Sequence, residues 1–169
     1  MTFDVFNLTE HTGSEVRCSV DELLTPSVAK ALRKLVLHRG VLVFKSLHLS
    51  GEQQVRLAAM LGSVRDEGEQ GIYKITLDKR VNKAADYLKG SFLWHMDATH
   101  DRIPVFGSLL TSRKLSRLGG QTEFANSYAA YEALPDVSRT RIAHLKAVHS
   151  VEVSMTRAGV EASEEKDPF

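Results

Sequence analysis

Between Thr25 and Gly62 the chain carries two helices whose ends are marked in the sequence, with a short apolar run caught between them. Thr25-Pro26 reads as an N-cap followed by proline at the first helical position, where its missing N–H is not needed. Behind it Val28, Ala31, Leu32, Leu35 and Val36 fall on one helical stripe, and Gly40 supplies the stop. Residues 41–44, Val-Leu-Val-Phe, follow at once; so short an apolar run suits a buried strand. Ser50 and Gln53 have capping-box spacing, in which each side chain bonds the other's backbone N–H. The helix they open is expected to carry Val55, Ala58, Ala59 and Leu61 and to close at Gly62.

Further on the pattern changes. Residues 73–77, 93–99, 105–112, 121–125 and 147–153 read as strands, with Gly119-Gly120 as a turn before the fourth. Asn126 or Ser127 caps a short helix bearing Tyr128, Tyr131 and Leu134, and Pro135-Asp136 opens another. Many strands after two N-terminal helices, without regular βαβ alternation, predict an α+β fold with a mostly antiparallel sheet.

A chain of 169 residues is about one domain long. With 22 Lys and Arg against 21 Asp and Glu, its net charge of +1 lacks the electrostatic footprint of a nucleic-acid or anionic-membrane binder. The single cysteine, Cys18, excludes an intrachain disulfide and a multi-thiolate zinc site. The first residues lack the basic and apolar regions of a secretory signal, and no apolar run approaches membrane-spanning length. These features predict a soluble, cytoplasmic protein.

The sharpest chemical feature is Trp94-His95-Met96-Asp97. On a strand, residues i and i+2 share a face, so an imidazole and a carboxylate would project into one space. Those are two of the three ligands in the two-histidine, one-carboxylate facial arrangement of non-haem ferrous oxygenases. Spacing alone is weak, because 7 histidines and 21 acids yield about one His-x-acid triplet by chance.

The surrounding motifs add specificity. Phe92-Leu93-Trp94-His95-Met96-Asp97-Ala98-Thr99, then Pro104, Ser108-Leu109-Leu110, Gly119-Gly120-Gln121-Thr122-Glu123-Phe124 and Tyr128-Ala129-Ala130-Tyr131-Glu132-Ala133-Leu134-Pro135 together resemble the taurine dioxygenase-like family. These are Fe(II)- and 2-oxoglutarate-dependent oxygenases. The resemblance, which runs from about residue 40 to 149, implies a double-stranded β-helix (jelly-roll, cupin-like) core with flanking helices. It implies hydroxylation of a small, anionic organic substrate by dioxygen, with release of succinate and CO2, and neither a nucleic-acid nor a membrane partner; homo-oligomerisation is left open. His95 and Asp97 match the family's iron ligands, and Thr122 matches the threonine that hydrogen-bonds the distal carboxylate of 2-oxoglutarate. Ser91, with Phe92 beside it, falls where substrate is contacted. Of the other histidines, His149 is expected to be packed or hydrogen-bonded, His144 to face solvent, and His100 to turn away from the metal.

The family completes its site with a second histidine and an arginine further along, for which these residues offer no counterpart. Residues 1–169 are therefore expected to be the N-terminal portion of a single dioxygenase domain, incomplete in this chain. The alternative is a degenerate, non-catalytic small-molecule-binding or interaction module of the same fold.

Overall fold

The computed structural model describes residues 3–65, 68–83, 85, 88, 92–99, 101–157 and 159. The chain divides into two compact units, one of Met1–Arg65 with Leu109–Leu145 and one of Asp66–Ser108 with Lys146–Phe169.

The first unit opens with strands β1 (Asp4–Asn7) and β2 (Ser14–Arg17), which pair antiparallel with Asp4 opposite Arg17 and Phe6 opposite Glu15. Two helices follow, α1 (Val20–Leu23) and α2 (Pro26–Arg39), and the chain then returns as β3 (Leu42–Val43), parallel to β2. The three strands form a mixed sheet in the order β1-β2-β3. β2, the two helices and β3 form one βαβ crossover, an isolated unit and not a regular alternation. The hairpin escaped the sequence reading because its strands do not alternate: β1 is exposed throughout, and β2 buries the polar pair Ser14 and Glu15 beside Val16.

That polar burial is satisfied. The Glu15 carboxylate accepts from Lys45 Nζ at 2.7 Å and Arg17 Nε at 2.6 Å, and Ser14 Oγ accepts from Arg39 Nε at 3.0 Å. Hydrogen bonding from Lys45 first, then from Arg17, holds the Glu15 carboxyl below its ordinary range. Arg39 also donates to the Thr9, Glu10 and Gly13 carbonyls, which ties the end of α2 to the β1–β2 loop.

Helix α2 runs between the expected limits. Gly40 ends it at φ 69°, a left-handed conformation that a side chain disfavours, and its N–H bonds the Val36 carbonyl. Val28, Ala29 and Leu32 are its buried residues; Ala29 takes the place expected of Ala31. Helix α3 (Gly51–Leu61) has the full capping box of Ser50 and Gln53 and stops at Gly62, but Leu57 is its buried residue and Ala59 is exposed. Val16, Leu23, Leu24, Val28, Leu32, Leu49 and Leu57 form one core cluster, with Leu35, Phe44, Leu61 and Leu109 packed against it. Helices α4 (Ser127–Glu132) and α5 (Asp136–Ile142) complete the unit, α4 capped by the Asn126 side chain as expected.

The later strands are the main correction. Residues 73–77, 93–99, 105–112 and 121–125 carry no strand assignment, and α6 (Val151–Arg157) is a helix where residues 147–153 suggested a strand. Apolar alternation signals a strand only where a neighbouring strand completes the hydrogen-bond ladder. Apolar residues of these segments, including Ile75, Leu77, Leu110 and Val148, are exposed. At α6 a local cap overrides the β-propensity of its valines, because Ser150 Oγ accepts from the Val153 N–H at 3.3 Å. Among the described residues, no helix is long and apolar enough to cross a membrane.

Candidate metal centre

In the second unit His95 and Asp97 converge, with Nε2 and Oδ1 3.3 Å apart. Residues 94–96 carry no strand assignment, so the expected strand is absent, and a turn begins at Asp97. Residues 97–99 form it, Ala98 takes a left-handed φ of 54°, and the Asp101 N–H closes on the Ala98 carbonyl at 3.2 Å. A left-handed alanine is strained by about 1 kcal/mol, and such strain concentrates at sites where side-chain direction matters.

Each side chain is held from behind. His95 Nδ1 lies 2.7 Å from the Leu93 carbonyl oxygen. A carbonyl only accepts, so Nδ1 donates to it, and Nε2 is the ring nitrogen turned to Asp97. Asp97 Oδ2 accepts from Ser108 Oγ at 2.9 Å, which leaves Oδ1 to face the imidazole. Two acceptors facing each other across 3.3 Å repel unless a proton or a cation lies between them. Two cis ligands of one transition-metal ion, each about 2.1 Å from it, stand about 3 Å apart. One neutral imidazole and one carboxylate therefore fit a ferrous ion in donor type and in spacing. The His95 and Asp97 side chains are 46% and 56% exposed, so the pair is open to solvent. Among the described residues no group of three His, Cys, Asp or Glu side chains is placed to hold a metal.

The other expected site residues are more dispersed. Phe92 and Trp94 are both strongly exposed. Ser91 and His100 lie outside the described residues. Thr122 belongs to the first unit and is exposed, in the irregular stretch between Gly119-Gly120, both of positive φ, and α4. His144 is exposed, as expected; His149, expected to be packed or hydrogen-bonded, is exposed as well, so of those two alternatives it is not packed. Ser108 was visible in the sequence only as part of a motif. Its bond spans eleven residues between segments without regular structure, and no local periodicity announces such a contact.

The comparisons with known proteins agree on a family. Residues 4–168 match the model of the taurine catabolism dioxygenase TauD, TfdA family, and the chain belongs to that family. It is 32% identical over 129 residues to an (S)-phenoxypropionate/alpha-ketoglutarate-dioxygenase of Sphingobium herbicidovorans, a match covering 73% of this chain and 45% of the relative. Over 150 residues it is 28% identical to an alpha-ketoglutarate-dependent 2,4-dichlorophenoxyacetate dioxygenase of Cupriavidus pinatubonensis, covering 76% of this chain and 51% of the relative. The chain thus spans about half the length of the curated relatives it matches. The crystal structure of AAD-2 in complex with Mn(II) and N-oxalylglycine superposes with a TM-score of 0.85 at 28% identity, covering 98% of this chain and 64% of that one. The α+β arrangement of sheet and helices is therefore shared with that protein.

Proposed function

We propose that this chain is the N-terminal portion of an Fe(II)- and 2-oxoglutarate-dependent dioxygenase that hydroxylates a small organic anion, with succinate and CO2 as coproducts. The observation that carries the reading is the His95–Asp97 pair, 3.3 Å apart with its outward nitrogen and oxygen already bonded. In a protein of its relatives' length, the apolar segments at 73–77, 93–99, 105–112 and 121–125, which carry no strand assignment here, would find strand partners in a jelly-roll core. The remaining protein ligand and the cationic partner of the cosubstrate come from residues beyond this set.

When bound, a ferrous ion supplies the coupling of dioxygen reduction to 2-oxoglutarate decarboxylation. His95 Nε2 and Asp97 Oδ1 would hold it, one as a neutral and one as an anionic donor, leaving other positions for cosubstrate and dioxygen. The Leu93 carbonyl keeps the His95 proton on Nδ1, so Nε2 remains a ligand. By the family resemblance Thr122 would donate its hydroxyl hydrogen to the distal carboxylate of 2-oxoglutarate. By the family resemblance Ser91 and Phe92, four and three residues before His95, would contact the substrate. The relatives are named for phenoxypropionate and dichlorophenoxyacetate, and a further relative from Pseudomonas putida, 27% identical, is named for sulfate esters. All of these are organic anions, which supports the same substrate class here.

The test is succinate formation by the full-length protein with Fe(II), ascorbate, 2-oxoglutarate and a panel of aryloxyalkanoates and alkyl sulfates. Substrate-stimulated succinate that disappears in His95→Ala supports the reading. Its absence across the panel, with 2-oxoglutarate still bound, would favour a non-catalytic binding module.

A further inference from the structure

We infer that Ser108 is a positioning residue for the metal site: its hydroxyl fixes which oxygen of Asp97 faces the ion. The inference rests on the metal-site reading above and extends it to a residue that neither touches the ion nor adjoins its ligands in sequence. A free aspartate carboxylate rotates broadly about its terminal torsion, and its two oxygens are then equivalent. Here they are not. Oδ2 is engaged by Ser108 Oγ at 2.9 Å, and Oδ1 is the oxygen turned to His95 Nε2 at 3.3 Å. The bond thus selects a single-oxygen ligand aligned with the imidazole, and it keeps the carboxylate from swinging into the solvent to which it is half exposed.

The arrangement mirrors that of its neighbour, where the Leu93 carbonyl fixes the His95 ring through Nδ1. Both ligands therefore have an outer partner, and the two partners differ in kind. A backbone carbonyl cannot be removed by substitution, whereas the Ser108 hydroxyl can. Ser108 is itself exposed, so its loss leaves no packing defect.

The experiment measures Mn(II) affinity of the full-length protein by electron paramagnetic resonance titration, for the parent and for Ser108→Ala, Ser108→Thr, Ser108→Val, His95→Ala and Asp97→Ala. Outer partners of metal ligands typically contribute tenfold or more to affinity. Ser108→Ala and Ser108→Val should each weaken Mn(II) binding roughly tenfold, and Ser108→Thr should stay within about twofold of the parent. Threonine and valine have the same shape and differ only in the hydroxyl, so their contrast separates hydrogen bonding from packing even if Ser108→Ala alters folding. Equal affinities for Ser108→Thr and Ser108→Val, with His95→Ala and Asp97→Ala strongly weakened, would overturn the role of Ser108 and leave the metal site standing. Parent-like affinity in His95→Ala and Asp97→Ala would overturn the metal site itself, and the inference with it.

Discussion

The two units are built on opposite principles. The first is held by apolar burial: Leu23 and Leu32 are almost wholly enclosed, and two helices carry complete capping boxes. The segment bearing His95 and Asp97 in the second has exposed apolar neighbours, Phe92, Trp94 and Met96, and owes its shape to three polar contacts around two side chains. In the first unit side chains determine stability and scarcely touch chemistry. In the site segment, on the proposed function, they would set chemistry and contribute little to stability. Substitutions in the two places should therefore fail in different assays.

The largest effect belongs to the core. Leu32→Ala deletes a buried side chain between Val28, Leu24 and their neighbours, so unfolding free energy should drop by about 2–5 kcal/mol. Urea denaturation followed by circular dichroism measures it; a change below about 1 kcal/mol would mean that the cluster packs loosely. His95→Ala is the counterpart in the site. Succinate production by the full-length protein should fall at least about a hundredfold, since loss of a metal ligand exceeds the effect of losing an outer partner. Its unfolding midpoint should hold within about 0.5 kcal/mol, as for other exposed substitutions. A large loss of stability there would erase the contrast between the units.

Legibility in the sequence divides along the same line. Helices α2 and α3 were visible to the residue because proline, glycine, serine and glutamine act on the backbone next to them. Strand β2 was not, because its burial of Ser14 and Glu15 depends on Arg39 and Lys45, 25 and 30 residues away. The later strands were misread because extended apolar residues announce a capacity to pair, while pairing itself needs a second segment. In the site, His95 and Asp97 were named from i, i+2 spacing and from the family motif, and they do converge, on a stretch that carries no strand assignment. The residue types were legible, and the backbone path was not.

Glu15 offers a sharper test of what the first unit tolerates, because it is a charge enclosed in a region otherwise held by apolar contact. Its carboxyl is held below the ordinary range, by Lys45 and then Arg17. The native state therefore releases this proton at a lower pH than the unfolded chain does. Between the two values the unfolded state binds more protons, so stability rises with pH. The contribution is complete above the unfolded carboxyl value of about 4.3 and is lost as pH falls through the lower native one. Chemical denaturation between pH 3 and pH 6 should show a steeper acid decline for the parent than for Glu15→Gln. Identical slopes would indicate that the two ion pairs contribute nothing to the pH dependence.

The smallest predicted effect tests where the comparison is most finely balanced, because Thr122 lies in the stable unit and carries a proposed role in binding. Ser50 is the reference. Its hydroxyl accepts from the Gln53 N–H at 3.1 Å, so Ser50→Ala should reduce stability by about 1 kcal/mol and leave 2-oxoglutarate affinity unchanged. Thr122 is exposed and outside regular structure, so Thr122→Ala should leave the unfolding midpoint unchanged. If its hydroxyl donates to the distal carboxylate, one hydrogen bond to a charged group is lost. That weakens 2-oxoglutarate by about 1–2 kcal/mol, or roughly five- to thirtyfold in Kd. Serine at position 122 retains the hydroxyl and should keep most of the affinity, whereas valine retains the shape and should not. Isothermal titration of 2-oxoglutarate into the Mn(II)-loaded full-length protein reads the difference directly. Equal Kd values for Thr122→Ser and Thr122→Val would remove Thr122 from the site and leave the first unit with a purely structural part.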